Sequence, residues 1–325
     1  MEYDRDGFRI SPGFDAPRAE DDSFGPVGAR STRLDADARG SGVAGPRRGA
    51  GAAKRFVVGG AFLALILGAV VGPVVMPAVR EAVIDWSLAE AEVAESRGDV
   101  AGALGHVERA VHWGSEHAGL PALLCVRGQL RLENGDARGA LADADRAVAI
   151  APAAPQPLRL RAIVNVVEGR PEQALADAKA VLALDVRGNP EALNLLAYTR
   201  ALVRRELPEA LGDIEQALAR SGEESPEHLD TRGYVLHLLG RHAEAIDDLN
   251  RAIDGMQEAR RRLASLVGRI DRVEIDRRLR INDHGLAVMY QHRGEACAAA
   301  GFAAQAEQDF EVARRKGYDP DRGIF

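Results

Sequence analysis

The chain has 325 residues, of which 46% are apolar and 28% charged, a composition typical of a globular protein with room for about two domains of roughly 100 to 200 residues. Residues 80–325 carry 32 basic and 40 acidic side chains. This negative balance argues against nucleic acid as a partner, because phosphate binding needs a clustered positive field. The two cysteines, Cys125 and Cys297, are too few for a disulfide scaffold and lack metal-ligand spacing.

Residues 1–55 are rich in Gly, Pro, Asp, Arg and Ser, and their apolar residues stand singly rather than at a helical or strand period. A segment of this composition buries too little surface to offset the entropy lost on ordering. We therefore expect residues 1–55 to form a disordered tail, and we assign no site to it.

Residues 56–79 form a run of 24 residues without a charge. At about 1.5 Å rise per residue, a helix of this length spans about 36 Å, which exceeds the ~30 Å hydrocarbon core of a bilayer. Pro73 and Pro77 lie near the far end, where a kink close to the interface is tolerable. A cleaved signal peptide would have a shorter apolar region and fewer residues before it. The sequence thus predicts one transmembrane helix over 56–79.

The charges beside this run predict its orientation. The basic residues that precede it are Arg47, Arg48, Lys54 and Arg55. Residues 81–95 contain five acidic side chains and no lysine or arginine. The positive-inside rule then places the tail in the cytoplasm. We expect a single-pass membrane protein whose residues 80–325 are extracytoplasmic, which means periplasmic in a bacterial host.

Residues 84–325 repeat one pattern six times: a small or turn residue, an alanine five positions later, and a small apolar residue seven positions beyond that. The six copies are Gly98–Ala103–Ala110, Gly135–Ala140–Ala147, Gly169–Ala174–Val181, Arg205–Ala210–Ala217, Gly240–Ala245–Ala252 and Gly301–Ala306–Ala313. Successive first alanines are 37, 34, 36, 35 and 61 residues apart. Recurrence at this interval, with helical periodicity on both sides of each turn, indicates an array of helix–turn–helix units.

This array resembles the tetratricopeptide (TPR) repeat, a helix–turn–helix unit of about 34 residues with small residues at fixed positions. The fifth copy matches the motif best. Its motif residues are Leu229, Gly233, Leu236, Gly240, Ala245, Leu249 and Ala252. Gly128 and Gly294 take the position of Gly233 in copies two and six, whereas copy one has Ala91 and copy four has Tyr198 there. The resemblance covers residues 80–325 and implies an all-α TPR solenoid, a right-handed superhelix of about six repeats.

An insertion of roughly residues 256–282 separates copies five and six, with apolar side chains at helical spacing among eight arginines. Two interpretations remain open. The insertion lengthens helix B of copy five and helix A of copy six into a projecting helical hairpin, or it is a basic amphipathic surface for a partner or anionic lipid.

The TPR resemblance also implies binding residues, because the concave face of such a solenoid binds segments of other proteins through fixed positions of each first helix. The residues at those positions are Gln129, Arg159, Leu195, Thr199, Asp230, Tyr234, His237 and Gln291. Some TPR domains hold a C-terminal carboxylate with a set of Lys and Asn side chains, and this chain lacks that set. The corresponding positions hold Cys125, Gln129, Arg159 and Ile163.

We find no motif for catalysis, a metal or a cofactor. The spacings of His106, His112 and His117 turn successive rings to different sides of a helix. No pair at a metal-ligand spacing occurs among the later histidines His237, His242, His284 and His292 either. No phosphate-binding loop or nucleophile motif is present. We therefore expect no catalytic, metal or cofactor site.

These observations favour a non-enzymatic scaffold or adaptor, anchored in a membrane by residues 56–79, that binds other proteins through its concave face. The alternative is a regulatory subunit of an envelope complex for secretion, translocation or assembly, in which the cytoplasmic tail responds to partner binding. An enzyme is the least favoured class. Self-association through the Ala- and Leu-rich helix faces also remains open.

Overall fold

The computed structural model describes residues 75–184, 189–221 and 225–319. The predicted tail, 1–55, and residues 56–74 of the predicted transmembrane helix lie outside these residues. Residues 75–79 of that predicted helix form part of a longer helix that ends at residue 96. Among the helices that the structure describes, none is both long enough and apolar enough to cross a membrane.

The described part of the chain contains twelve helices and no β-strand, apart from an isolated bridge between Val267 and Ile270. The helices are α1 (75–96), α2 (Val100–Trp113), α3 (Leu120–Glu133), α4 (Ala137–Ile150), α5 (Pro155–Val167), α6 (Pro171–Leu184), α7 (Pro190–Leu202), α8 (Leu207–Ser221), α9 (Pro226–Leu238), α10 (His242–Ser265), α11 (Arg272–Ala299) and α12 (Ala303–Arg315). The expected all-α repeat architecture is confirmed.

Consecutive helices pack as hairpins, beginning with α1 and α2 and ending with α11 and α12. Odd-numbered helices from α3 to α11 also contact the next odd-numbered helix, whereas no two even-numbered helices of the described chain are in contact. Helices on the concave side of a curved array lie closer together than those on the convex side. The odd-numbered helices therefore form the inner layer and the even-numbered helices the outer layer.

The repeated glycines end the inner helices. Gly98, Gly135, Gly169, Gly240 and Gly301 each lie two residues beyond an inner helix, with φ between +66° and +88°. At Gly240 the backbone N–H donates to the His237 carbonyl and the next N–H, of Arg241, donates to the Leu236 carbonyl. This is the Schellman closure, which needs a left-handed residue at the position of the glycine.

Small residues bring the two layers together. The first alanine of each pattern, from Ala103 to Ala306, is at most 3% exposed. A Cβ added to Gly233 would lie 2.7 Å from Leu249 Cγ and 3.1 Å from the Ala245 carbonyl oxygen. The positions that the sequence identified as small are thus the points of closest approach within a hairpin.

Four hairpins share a bidentate ion pair that the sequence analysis missed. In each, an arginine of the inner helix binds a buried aspartate of the outer helix, 16 residues later. The pairs are Arg127–Asp143, Arg161–Asp177, Arg232–Asp248 and Arg293–Asp309. Some of these arginines also reach the preceding outer helix. Arg161 donates a hydrogen bond to Asp145 and Arg293 donates one to Asn250, while Arg127 interacts electrostatically with Glu108. The ion pairs therefore join neighbouring repeats as well as the two helices of one repeat.

The insertion lengthens α10 to 24 residues and α11 to 28, whereas α2 to α9 and α12 have 13 to 15. The two extensions pack together. Asn282 Nδ2 donates to the Met256 carbonyl at 3.0 Å, and Arg260 pairs with Asp283 at 2.9 Å. The tip exposes Val267, which is 65% accessible.

Candidate functional site

The eight predicted contact residues all lie on inner helices. Gln129 on α3 and Arg159 on α5 are exposed. The partly buried members are Leu195, His237 and Gln291, and the buried members are Thr199, Asp230 and Tyr234. Six of the eight therefore lie on α7, α9 and α11, in the second half of the array.

The structure shifts the register of α7 by one residue relative to the sequence pattern. The α7–α8 turn contains four residues, 203–206, whereas the turn between α9 and α10 contains three. Counted from the helix ends, Asn194 and Tyr198 are therefore equivalent to Asp230 and Tyr234. Thr199 is 3% exposed and its hydroxyl donates to the Leu195 carbonyl at 2.7 Å.

His292 of α11 is the centre of an aromatic cluster with α7 and α9. Its ring is fully buried and stacks on Tyr234 with a centroid distance of 4.1 Å and an interplanar angle of 14°. Tyr198 packs edge-on against it at 6.1 Å. The Nδ1 atom lies 2.9 Å from Asp230 Oδ1, so Nδ1 carries a proton and donates to the carboxylate.

His292 was missed because its spacing to other histidines carries no signal. The equivalent positions of α5 and α9 hold the buried Leu160 and Thr231, whereas α3 has the exposed Val126 there. The burial of this position therefore differs between repeats, and the polar partner of His292, Asp230, lies 62 residues away in sequence.

Two further histidines extend this cluster towards the α9–α10 turn. The rings of His237 and His242 are 5.2 Å apart, and His237 lies nearly parallel to Tyr234 at 6.4 Å. Burial lowers the pKa of His237, and the charges of His242, His292 and Arg204 act in the same direction, whereas Glu295 opposes them. His237 is therefore neutral at pH 7.

Tyr198, Tyr234, His237, His242 and His292 form what we call the aromatic patch. Four of its buried polar atoms have no hydrogen-bond partner within the described chain: the Tyr198 hydroxyl, Nδ1 of His237 and of His242, and Nε2 of His292. Burial raises the pKa of Tyr234 to about 12 and that of Tyr198 well above its usual range. Both phenols therefore keep their protons at neutral pH and are able to donate hydrogen bonds.

Two charged side chains lie near the patch. Glu295 of α11 raises the pKa of Tyr234, after the larger effect of burial, whereas Arg204 of the α7–α8 turn lowers it. Glu295 accepts a hydrogen bond from Gln291 Nε2 at 2.9 Å. Neither Glu295 nor Arg204 has an ion-pair partner in the described part of the chain. The patch thus combines aromatic rings, hydrogen-bonding groups without a partner and one charge of each sign, a combination suited to binding.

Within residues 75–184, 189–221 and 225–319, no three His, Cys, Asp or Glu side chains are grouped so that they could hold a metal ion. The two thiols are separate from the patch. Burial raises the pKa of Cys125 to about 11 and also raises that of Cys297. Both thiols are therefore protonated and poor nucleophiles at neutral pH.

No protein-family model matches the chain, and no curated protein matches it. Similar solved structures include a tetratricopeptide repeat protein from Parabacteroides merdae. It is 18% identical to this chain with a TM-score of 0.45, and the match covers 73% of this chain and 94% of the Parabacteroides chain. A thermophilic TPR protein from Thermus thermophilus is 21% identical with a TM-score of 0.45, over 54% of this chain and 91% of its own. YrrB, a TPR protein with an unusual peptide-binding site, is 16% identical with a TM-score of 0.35, and the match covers 65% of this chain and 92% of YrrB.

Proposed function

We propose that the chain is a protein-interaction scaffold that binds an extended segment of a partner along its inner helix layer, with the aromatic patch as the main contact. The proposal is carried by three partly exposed side chains of the patch, Tyr198, His237 and His242, each of which has a buried polar atom without a partner in the described chain. Leaving such an atom unpaired costs about 1 to 3 kcal/mol, so a ligand that packs against these rings and completes their hydrogen bonds is favoured. The ring of His292 is fully buried and supports Tyr234 from within the array. The partly exposed ring of Tyr198 adds apolar area of the kind that dominates protein interfaces.

Tyr198→Phe tests the contact, because it removes the unpartnered hydroxyl and keeps the ring. We expect peptides selected from an array on the full-length chain to bind about 3- to 10-fold more weakly, the value of a net hydrogen bond. The melting temperature should not fall, since no intramolecular bond is lost. Trp86→Ala serves as the control, because Trp86 is a 52% exposed aromatic residue on α1, outside the patch.

Two outcomes would overturn the proposal. One is an array in which no peptide binds the wild-type chain. The other is peptide binding that Tyr198→Phe leaves unchanged while Trp86→Ala weakens it, which would move the contact to the first repeat.

We further propose that residues 56–79 anchor this scaffold in a membrane, with the tail cytoplasmic and the repeats on the other side. The support is the sequence: 24 uncharged residues and the basic flank before them. Carbonate extraction should leave the full-length chain in the membrane fraction. In intact cells an impermeant maleimide should label Ser265→Cys on the hairpin tip and leave Ser31→Cys unlabelled. Release by carbonate would end the anchor proposal, and the reverse labelling would invert the orientation.

A further inference from the structure

The α7–α8 turn is built differently from the other five hairpin turns. Arg204 lies two residues beyond α7, at the position where the other inner helices are followed by glycine, and has φ +53°. Glu206, two residues later, has φ +50°. The left-handed region is unfavourable for residues with a Cβ, so this turn stores strain that a glycine at position 204 would remove.

Neighbouring ion pairs hold the turn in this conformation. Glu206 binds Arg200 Nε at 2.9 Å and Lys179 Nζ at 3.1 Å. Arg205 Nη1 binds Glu172 on α6 at 2.6 Å. The two contacts of Glu206 join the turn to α6 and α7, whereas the exposed Arg205–Glu172 pair contributes little to holding it. None of these contacts involves the guanidinium of Arg204.

The side chain of Arg204 is exposed and lies near the aromatic patch. Arg204 follows α7, on which Tyr198 lies six residues earlier, and α7 packs against α9, which carries Tyr234 and His237 in its last turns. In agreement with this position, the charge of Arg204 lowers the pKa of Tyr234, against the larger effects of burial and Glu295, and adds to the burial that lowers the pKa of His237. The neighbouring arginines, Arg200 on α7 and Arg205 in the turn, are both ion-paired. The strained backbone thus places one unpaired cation beside the surface on which a peptide would lie.

We propose that Arg204 is a specificity residue of the peptide groove and binds an anionic group of the partner, a carboxylate or a phosphate, next to the aromatic patch. The inference rests on the function proposed above. Guanidinium groups suit this role, because their planar fork donates two parallel hydrogen bonds to either anion. Glu295 repels an anion on the α11 side, which leaves the α7 side of Tyr234 as its place.

The test is a positional-scanning peptide array on the full-length chain, compared with Arg204→Gly and with Arg205→Gln as a matched control. Each substitution removes one positive charge from the same turn, but Arg205 pairs with α6 rather than lying beside the patch. For the wild-type chain we expect enrichment of Asp or Glu at one position. Arg204→Gly should weaken the enriched peptides at least tenfold and abolish the acidic preference, while Arg205→Gln should preserve both.

Three further peptide series separate the sources of the anion. They carry the best hit with its acidic residue changed to the amide, with phosphoserine in its place, or with an amidated C-terminus. If only the change to the amide weakens binding, the anion is an internal acidic side chain. If the phosphoserine peptide binds more tightly, the anion is a phosphate. If amidation of the C-terminus abolishes binding, the anion is the terminal carboxylate. Peptides that bind with no acidic preference, or that bind Arg204→Gly as tightly as the wild type, would overturn the role of Arg204 alone. An array without any binding would instead overturn the proposed function.

Discussion

At the scale of single residues, the most deeply buried charges are the aspartates that pair with arginine across each hairpin. Asp309 is 2% exposed and accepts two hydrogen bonds from Arg293, at 2.6 and 2.8 Å. A buried ion pair contributes little compared with apolar residues of similar size, but removing one partner leaves an uncompensated charge. The ion pairs are therefore points where a single substitution has a large effect.

Arg293→Met should lower the free energy of unfolding by about 3 to 5 kcal/mol, because Asp309 is left buried and unpaired. Urea denaturation followed by circular dichroism measures this. Arg314→Met is the control and should leave the free energy of unfolding nearly unchanged, since Arg314 and its partners Glu307 and Glu311 are exposed. Adding Asp309→Leu to Arg293→Met should restore part of the loss. Equal effects of Arg293→Met and Arg314→Met would contradict this account.

His228 gives the fold a pH dependence. Its ring is 4% exposed, Nδ1 lies 3.0 Å from Ser221 Oγ, and burial lowers its pKa against the opposing charges of Glu191 and Glu227. The unfolded chain therefore takes up the proton first as the pH falls through about 6.5. The stability that the neutral ring contributes is complete above that pH and is lost as the pH falls towards the lowered pKa of the folded state.

His228→Gln should flatten this part of the stability curve, because the amide does not titrate. Urea midpoints measured between pH 5 and pH 7 check the slope, with His112→Gln as the control for an exposed histidine. A slope that is the same for His228→Gln and the wild type would show that the dependence arises elsewhere.

At the scale of helices and turns, the sequence predicts well wherever a repeat carries its glycine. Gly135 and Gly240 define their turns, and the alanines five residues later define the faces that meet. Copy four has no glycine to mark its turn, so the spacing alone did not show that this turn is one residue longer. The equivalent residues of α7 were therefore placed one position late, at Leu195 and Thr199 instead of Asn194 and Tyr198.

The aromatic patch shows a second limit of the sequence. Asp230 and His292 are 62 residues apart, and their contact depends on how α9 and α11 pack. The arginine–aspartate pairs were accessible in principle, because the same 16-residue spacing occurs in four copies. Local patterns predict helices and turns, whereas a contact between repeats needs the packing of the array.

The strain in the α7–α8 turn makes a prediction at this scale. Arg204→Gly should raise the free energy of unfolding by about 1 kcal/mol, because the left-handed backbone no longer opposes a Cβ. Gly240→Ala, the reverse change at the equivalent position, should lower it by a similar amount. Thermal melting of both variants measures the effect. Destabilisation by Arg204→Gly would mean that the side chain of Arg204 contributes more to folding than its backbone costs.

At the scale of the whole array, the contacts among the described helices α2 to α12 join elements that are close in sequence, such as α3 and α5 or α9 and α11. The extension of α11 is different, because its charges act on the first repeat. Burial and Glu133 raise the pKa of Glu95, at the end of α1, while Arg280 and Arg277 lower it. Arg280 also lowers the pKa of Glu133 on α3, against the larger effect of burial. The basic extension of α11 thus lies near Glu95 and Glu133, at the ends of the inner helices α1 and α3, although these helices are far from α11 in sequence.

This proximity predicts a cross-link. In the full-length chain, Glu95→Cys with Arg280→Cys should be joined by a short bis-maleimide, because the two side chains interact across the array. Glu95→Cys with Arg272→Cys should not, since Arg272 lies eight residues, about 12 Å, closer to the hairpin tip and exerts no charge effect on Glu95. The native Cys125 interferes little, because burial raises its pKa to about 11. Efficient linking of the Arg272 variant, or none with the Arg280 variant, would place the extension away from the first repeat. Linking of the Arg280 variant alone would show that the extension of α11 lies against the first repeat, although the two are about 185 residues apart in sequence.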